Sequence, residues 1–200
     1  IPNMTAMGPK NLWELRAMME FAMDYNAPLA IRYPRGTAYR GLREYRQPIV
    51  YGKGELLCEE SDIALLAVGS MVSTAEHIRE KLKEDGYSCS LANGRFVKPF
   101  DKELTERLAK NHRLLVTLEE NVLQGGYGLA VTAYIHSHYP EVKVVNIALP
   151  DAYVEHGNVS LLRKGLGIDS DSIIRRLKEE GWLSGIHREE NGEERQRPSE

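Results

Sequence analysis

The chain has 200 residues, of which 42% are hydrophobic and 28% charged, enough for one ordinary domain or for one domain and part of another. A formal net charge of −3 excludes bulk, sequence-independent nucleic-acid binding, which needs a basic face. The longest apolar run, Ile63 to Val68, falls far short of the about 20 residues that a membrane-spanning helix requires. Cys58 and Cys89 are too few for a disulfide framework and lack metal-ligand spacing, so a reducing, cytoplasmic setting is expected. The opening Ile1-Pro2-Asn3-Met4 lacks the basic region and apolar core of a signal peptide. Because it does not begin with Met, the chain is expected to be part of a longer gene product, with a processed N-terminus as the alternative.

In chain order, Pro9 can open a helix, and Leu12, Leu15, Met19, Ala22 and Met23 recur at helical spacing over residues 11–25. Asn26-Ala27-Pro28 stops it, and Leu29 to Tyr33 reads as a short strand. One helix and one strand cannot bury a core, so residues 1–36 read as the last αβ unit of a domain. Residues 37–50 hold Arg40, Arg43 and Arg46 between Gly41 and Pro48, have no periodicity, and read as a linker. A second domain spans residues 51–182. Gly52 to Leu57 is an edge strand. Asp62 to Val68 is dense and apolar, suited to a strand buried on both faces. Next come a helix over 72–84, a strand over Ser88 to Asn93, and a helix over 102–110 capped by Asp101. A strand over Arg113 to Leu118, a helix over 128–138 and a strand over Val142 to Ala148 follow, then short helices at 158–164 and 170–180. This alternation predicts a three-layer α/β/α fold around a mostly parallel sheet. Residues 183–200 carry dense charge with few apolar residues and are expected to be a disordered tail.

Ligands of open α/β sheets bind at the carboxyl ends of strands, and three sequence features fall there. In Arg32-Tyr33-Pro34-Arg35-Gly36 two guanidiniums bracket a rigid X-Pro step. Planar, permanently charged Arg suits phosphate or carboxylate, although two surface salt bridges would use the same residues. Glu119-Glu120-Asn121 followed by Gly125-Gly126-Tyr127-Gly128 offers backbone N–H groups at a helix start. It is neither a phosphate-binding P-loop nor a dinucleotide fingerprint, and a structural turn is the expected role. Asp151, Glu155 and His156 have acid–base character, but no second His or Cys stands at ligand spacing. A structural or interface role is therefore expected over a metal site. His77 and His112 read as surface residues, and Ser70 and Ser73 lack a nucleophile elbow.

Taken in order, Ile1 to Met4, Ile31 to Gly36, Gly52-Lys53-Gly54, Gly94 to Asp101, Thr117 to Val122 with Gly125 to Gly128, and Leu149-Pro150-Asp151 with Glu155-His156-Gly157 resemble the C-terminal third of the 1-deoxy-D-xylulose-5-phosphate synthases, within the transketolase-like thiamine diphosphate enzymes. The resemblance covers about residues 1–182. It implies that residues 1–36 end a pyrimidine-binding domain and that 51–182 form a transketolase C-terminal domain. It also implies a complete enzyme that uses thiamine diphosphate and Mg²⁺, decarboxylates pyruvate, and joins the two-carbon unit to glyceraldehyde 3-phosphate for isoprenoid, thiamine and pyridoxal synthesis.

The same resemblance implies a homodimer with no membrane or nucleic-acid partner. It associates Arg35 with the triose phosphate, with Arg32 as the alternative or a structural partner. It places no catalytic, cofactor-binding or metal-binding residue in this chain, which alone is expected to be inactive. Gly94 departs from the family pattern and is expected to weaken its strand end slightly. Two other readings stay open: a separately encoded, non-catalytic subunit of a split transketolase-like enzyme, and a relative of 2-oxoacid dehydrogenase β subunits.

Overall fold

The computed structural model describes residues 1–186. Its elements in order are β1 (Thr5–Met7), α1 (Leu12–Asp24), β2 (Leu29–Ile31), β3 (Glu55–Cys58), β4 (Asp62–Ala67), α2 (Met71–Glu84), β5 (Cys89–Asn93), β6 (Phe96–Lys98), α3 (Lys102–Asn111), β7 (His112–Val122), α4 (Tyr127–His138), β8 (Lys143–Leu149), α5 (Val159–Gly165) and α6 (Ser170–Glu179). Among the described residues no helix is long and apolar enough to cross a membrane.

The larger sheet has the order β3-β5-β4-β7-β8. All its pairings are parallel except that of β3 with β5. The apolar run of β4 explains its central place. Ile63, Leu65 and Ala67 pack into the core beneath α2 and α6, while Ala64 and Leu66 enter the opposite core with Leu108, Val131 and Ile135 from α3 and α4. A strand with helices on both sides must be apolar on both faces, and this one is. The expected three-layer arrangement with a mostly parallel sheet is therefore the observed one.

The smaller sheet, β2-β1-β6, was not legible in the sequence. β1 runs parallel to β2 and antiparallel to β6. The first αβ unit thus borrows a strand from the segment that follows β5 of the larger sheet. Helix α1 starts later than Pro9: the Asn11 side chain accepts from the Glu14 N–H at 3.0 Å and caps it. Its buried face also differs from the expected stripe. Met18, with Phe21 beside it, packs on Met7 and Phe96, whereas Leu12, Met19 and Met23 are exposed.

Residues 37–50 have no regular structure, yet they are tied down. Leu42 is buried, and Tyr39 and Tyr45 pack against the larger core. The Tyr39 hydroxyl donates to Glu76 at 2.5 Å, and Asn11 Nδ2 donates to the carbonyls of Gly41 and Leu42. The expected disorder of 183–200 is corrected at its start, because Leu183 is buried in the core and Ile186 packs against it. The remainder of that expectation, 187–200, lies outside the described residues. His112 is also corrected. It is buried, with Nδ1–H donating to the Leu108 carbonyl at 2.7 Å and Nε2 2.8 Å from Ser90 Oγ.

Four charged side chains join the two halves. Lys10, Glu14, Glu55 and Arg95 are 2%, 4%, 1% and 2% exposed. Lys10 Nζ donates to Glu14 at 3.0 Å and to Glu55 at 2.6 Å. Arg95 donates from Nε to Glu14 at 2.7 Å and from Nη1 and Nη2 to the carbonyls of Pro48 and Gln47. Its Nη2 also lies 2.8 Å from Glu55. Asn93 Nδ2 adds two bonds to Glu14. Burial pushes the Glu14 carboxyl up, but the Lys10 and Arg95 charges outweigh it and hold the group below its ordinary value. Gly94, beside this cluster, is more than a mild weakness: a Cβ there would come within 2.5 Å of the Tyr127 hydroxyl and 2.8 Å of Val68.

Removing one member of a buried charge cluster strands its partners without water, at a cost of about 3–5 kcal/mol. We expect Arg95→Met to lower unfolding stability by that amount in urea titration. Arg16→Ala, at an exposed pair, should cost below about 1 kcal/mol. Similar losses for the two variants would contradict the assignment.

Candidate functional site

A cleft of about 480 Å³ opens at the carboxyl ends of β4, β7 and β8. Its walls are Met7, Gly8 and Arg32 to Arg35 on one side, Gly69 and Ser70 after β4, Glu119 to Asn121 on β7, and Val159 with Arg163 on α5. Arg32 and Arg35, singled out by the sequence, therefore share one cleft with the Glu119-Glu120-Asn121 segment.

The two arginines stand in different situations. Arg32 is anchored at both ends: its backbone N–H donates to Met7 O at 2.8 Å, and its Nη2 donates to the Glu120 carbonyl at 2.6 Å. Arg35 lines the cleft, is exposed, and has no side-chain partner among the described residues. Pro34 between them stiffens the segment.

Adjacent residues on a strand point to opposite faces, and Glu119 and Glu120 divide their work accordingly. The Glu119 carboxylate accepts from the N–H groups of Tyr127 at 3.0 Å and Gly128 at 2.7 Å, at the start of α4. Burial pushes its carboxyl above the ordinary value, against those bonds and the charge of Arg32. A Cβ on Gly126 would meet both carboxylate oxygens at 2.7 Å. The glycine-rich turn is thus shaped around an internal carboxylate, which occupies the place a phosphate would take at a helix N-terminus.

Glu120 turns outward. It accepts two bonds from Arg163, at 3.1 and 2.7 Å, and one from Ser70 Oγ at 2.5 Å. Burial raises its carboxyl, but Arg163 and Ser70 prevail and hold it below its ordinary value. Sequence reasoning missed Arg163 and set Ser70 aside. An arginine in the last turn of a short helix carries no pattern that distinguishes it from a solvated surface residue.

Asp151, Glu155 and His156 lie exposed on the connection from β8 to α5 and do not line the cleft. Among the described residues, no group of three or more His, Cys, Asp or Glu side chains could hold a metal ion. With the α4 N-terminus filled by Glu119 as well, the residues present do not fit a metal-bound diphosphate.

A mostly parallel α/β/α domain with a cleft at the carboxyl edge of its sheet, walled on one side by a preceding αβ unit, is the architecture of a transketolase-type C-terminal domain. The family described as "Transketolase, C-terminal domain" matches residues 52–173, and the chain belongs to it. Three curated relatives are 1-deoxy-D-xylulose-5-phosphate synthases. Those of Lachnoclostridium phytofermentans (46% identical over 178 residues), Heliobacterium modesticaldum (39% over 180) and Clostridium tetani (37% over 177) each align with 88–90% of this chain. The chain spans 28% of the length of each. Among solved structures, "Split gene transketolase, inactive beta4 tetramer" superposes with a TM-score of 0.81 at 25% identity, over 90% of this chain and 57% of the other. A transketolase from Campylobacter jejuni superposes with a TM-score of 0.64 at 20% identity, over 89% and 26%, and supports the fold.

The depressed carboxyl of Glu120 sets a direction for pH dependence. A folded-state value below the ordinary 4.5 contributes stability that is present above 4.5 and lost as pH falls through the folded value. We expect Glu120→Gln to be less stable than wild type near neutral pH, with the gap closing on acidification below that point. Urea titrations across the acid range measure it, and a gap that widens towards low pH would refute the assignment.

Proposed function

We propose that the chain is the acceptor-side, C-terminal portion of a 1-deoxy-D-xylulose-5-phosphate synthase. The complete enzyme would decarboxylate pyruvate and join the remaining two carbons to glyceraldehyde 3-phosphate. In this reading residues 1–36 are the end of a pyrimidine-binding domain, 37–50 connect, and 51–182 are the transketolase C-terminal domain. Thiamine diphosphate and Mg²⁺ are held by protein outside these 200 residues, so the chain alone does not turn over. The complete enzyme would be a cytoplasmic homodimer.

One observation carries the reading: among the described residues Arg35 presents an unpartnered guanidinium in the cleft, while Arg32 and Arg163 are engaged by Glu120. A dianionic phosphate suits a free planar fork. Binding energy from this non-reacting end of the acceptor positions its aldehyde for attack. Arg32 keeps the segment in place and shapes the wall.

A second reading has one supporting observation, the superposition on a split-gene transketolase described as an inactive beta4 tetramer. There the chain would be a separately encoded subunit whose partner carries the cofactor. The coding sequence next to Ile1 separates the two, since a continuous frame with a cofactor-binding domain supports the first and a nearby start codon the second.

Charged hydrogen bonds contribute about 1.5–3 kcal/mol, so Arg35→Ala in the complete enzyme should raise KM for glyceraldehyde 3-phosphate by about tenfold or more and leave KM for pyruvate nearly unchanged. Equal effects on both substrates would remove the basis for the assignment. Calorimetric titration of the 200-residue chain with thiamine diphosphate and Mg²⁺ should show no micromolar binding; a micromolar isotherm would overturn the placement of the cofactor elsewhere.

A further inference from the structure

We propose that the buried Lys10–Glu14–Glu55–Arg95 cluster is a positioning device that sets where the Arg32–Arg35 segment stands in the cleft. The proposal rests on the reading of Arg35 as the phosphate-binding group.

A short path leads from the cluster to the cleft wall. The Arg95 carbonyl accepts from the Gly8 N–H at 2.9 Å, and the Met7 carbonyl accepts from the Arg32 N–H at 2.8 Å. Met7 also pairs with Phe96 on one side and Ile31 on the other. Two residues past Gly8, Lys10 is held through its backbone N–H by Glu14 at 2.7 Å and through Nζ by Glu14 and Glu55. The turn between β1 and α1 is therefore pinned on both flanks. β2 hangs from β1, and Arg32 is the first residue beyond β2.

The cluster is unsuited to binding a ligand itself. Its two cations and two anions cancel, all four side chains are withdrawn from solvent, and each cation is already hydrogen-bonded within it or to the carbonyls of Gln47 and Pro48. A neutral, fully paired cluster exerts no net attraction on an anion. What it supplies is directional: the Arg95 fork fits only one placement of Glu14 and of the Gln47 and Pro48 carbonyls. Because Glu55 and Arg95 belong to the larger domain while Lys10 and Glu14 belong to the first unit, that placement fixes the segment carrying Arg35 relative to β7.

The test titrates the 200-residue chain with inorganic phosphate and follows the Arg35 amide by NMR, well below each variant's unfolding midpoint. The variants are Arg35→Ala, the charge-balanced Lys10→Met/Glu55→Gln, and Arg95→Lys, which keeps the charge but loses the fork. We expect both cluster variants to weaken phosphate binding about tenfold with the amides of β4 and β7 unmoved. If the double variant does not fold, Arg95→Lys alone decides. A purely stabilising role would lower the unfolding midpoint and leave the Kd of the folded protein at the wild-type value, and that result overturns the proposal. If wild type shows no saturable response, or Arg35→Ala binds as wild type does, the phosphate reading fails and this inference with it. If Arg35→Ala abolishes binding while the folded cluster variants bind normally, the positioning role alone fails.

Discussion

Arg95 reaches Glu14 with Nε, Glu55 with Nη2, and the carbonyls of Pro48 and Gln47 with its remaining N–H groups. A guanidinium withdrawn from water is tolerable only when it is paired and its hydrogen-bonding groups are met. Here the acceptors come from helix α1, from β3 and from the strap at residues 47–48. None is near Arg95 in sequence, so the charge is satisfied only when all three have arrived. That constraint explains why an αβ unit too small to hold a core of its own is ordered against the larger domain. It also explains why residues 37–50, which lack any regular structure, nonetheless follow a defined course.

The cleft inherits its shape from this join. One wall belongs to the smaller sheet and the segment after β2, and the other to β7 and α5. Glu120 bridges them, with its backbone carbonyl on Arg32 and its carboxylate on Arg163 and Ser70. The consequence is selective neutralisation. Of the arginines lining the cleft, Arg32 and Arg163 are held by Glu120, and Arg35 has no side-chain partner among the described residues.

Legibility in the sequence followed the range of the interactions. β4 was readable because burial on both faces demands a continuous apolar run, and Ile63 to Val68 is one. The caps at Asp101 and the alternation of strands and helices were local and equally readable. β1 and β6 were not, because three residues such as Thr5-Ala6-Met7 carry no periodicity, and their strand character comes from each other. Lys10 and Glu14 were opaque for a different reason. A Lys and a Glu four residues apart are usually a solvated pair on a helix, and nothing local says that Glu55 and Arg95 will seal them in. His112 was misread because only the meeting of α3 and β5 buries it. At the site, Arg32 and Arg35 stood out through the Pro34 step. What stayed hidden was their division of labour, which depends on the distant carbonyl of Glu120.

Glu119 and Glu120 show how a strand edge turns one dipeptide into two opposite electrostatic roles. The pleat sends Glu119 inward, where burial raises its carboxyl and the α4 N–H groups receive it. It sends Glu120 outward, where Arg163 and Ser70 hold its carboxyl down. Were the register of β7 shifted by one residue, these roles would exchange. Glu120 would then face the α4 N-terminus, and Glu119 would be turned towards Arg163. The register of β7 against β4 therefore decides which carboxylate receives the α4 N–H groups and which one holds Arg163 at the cleft.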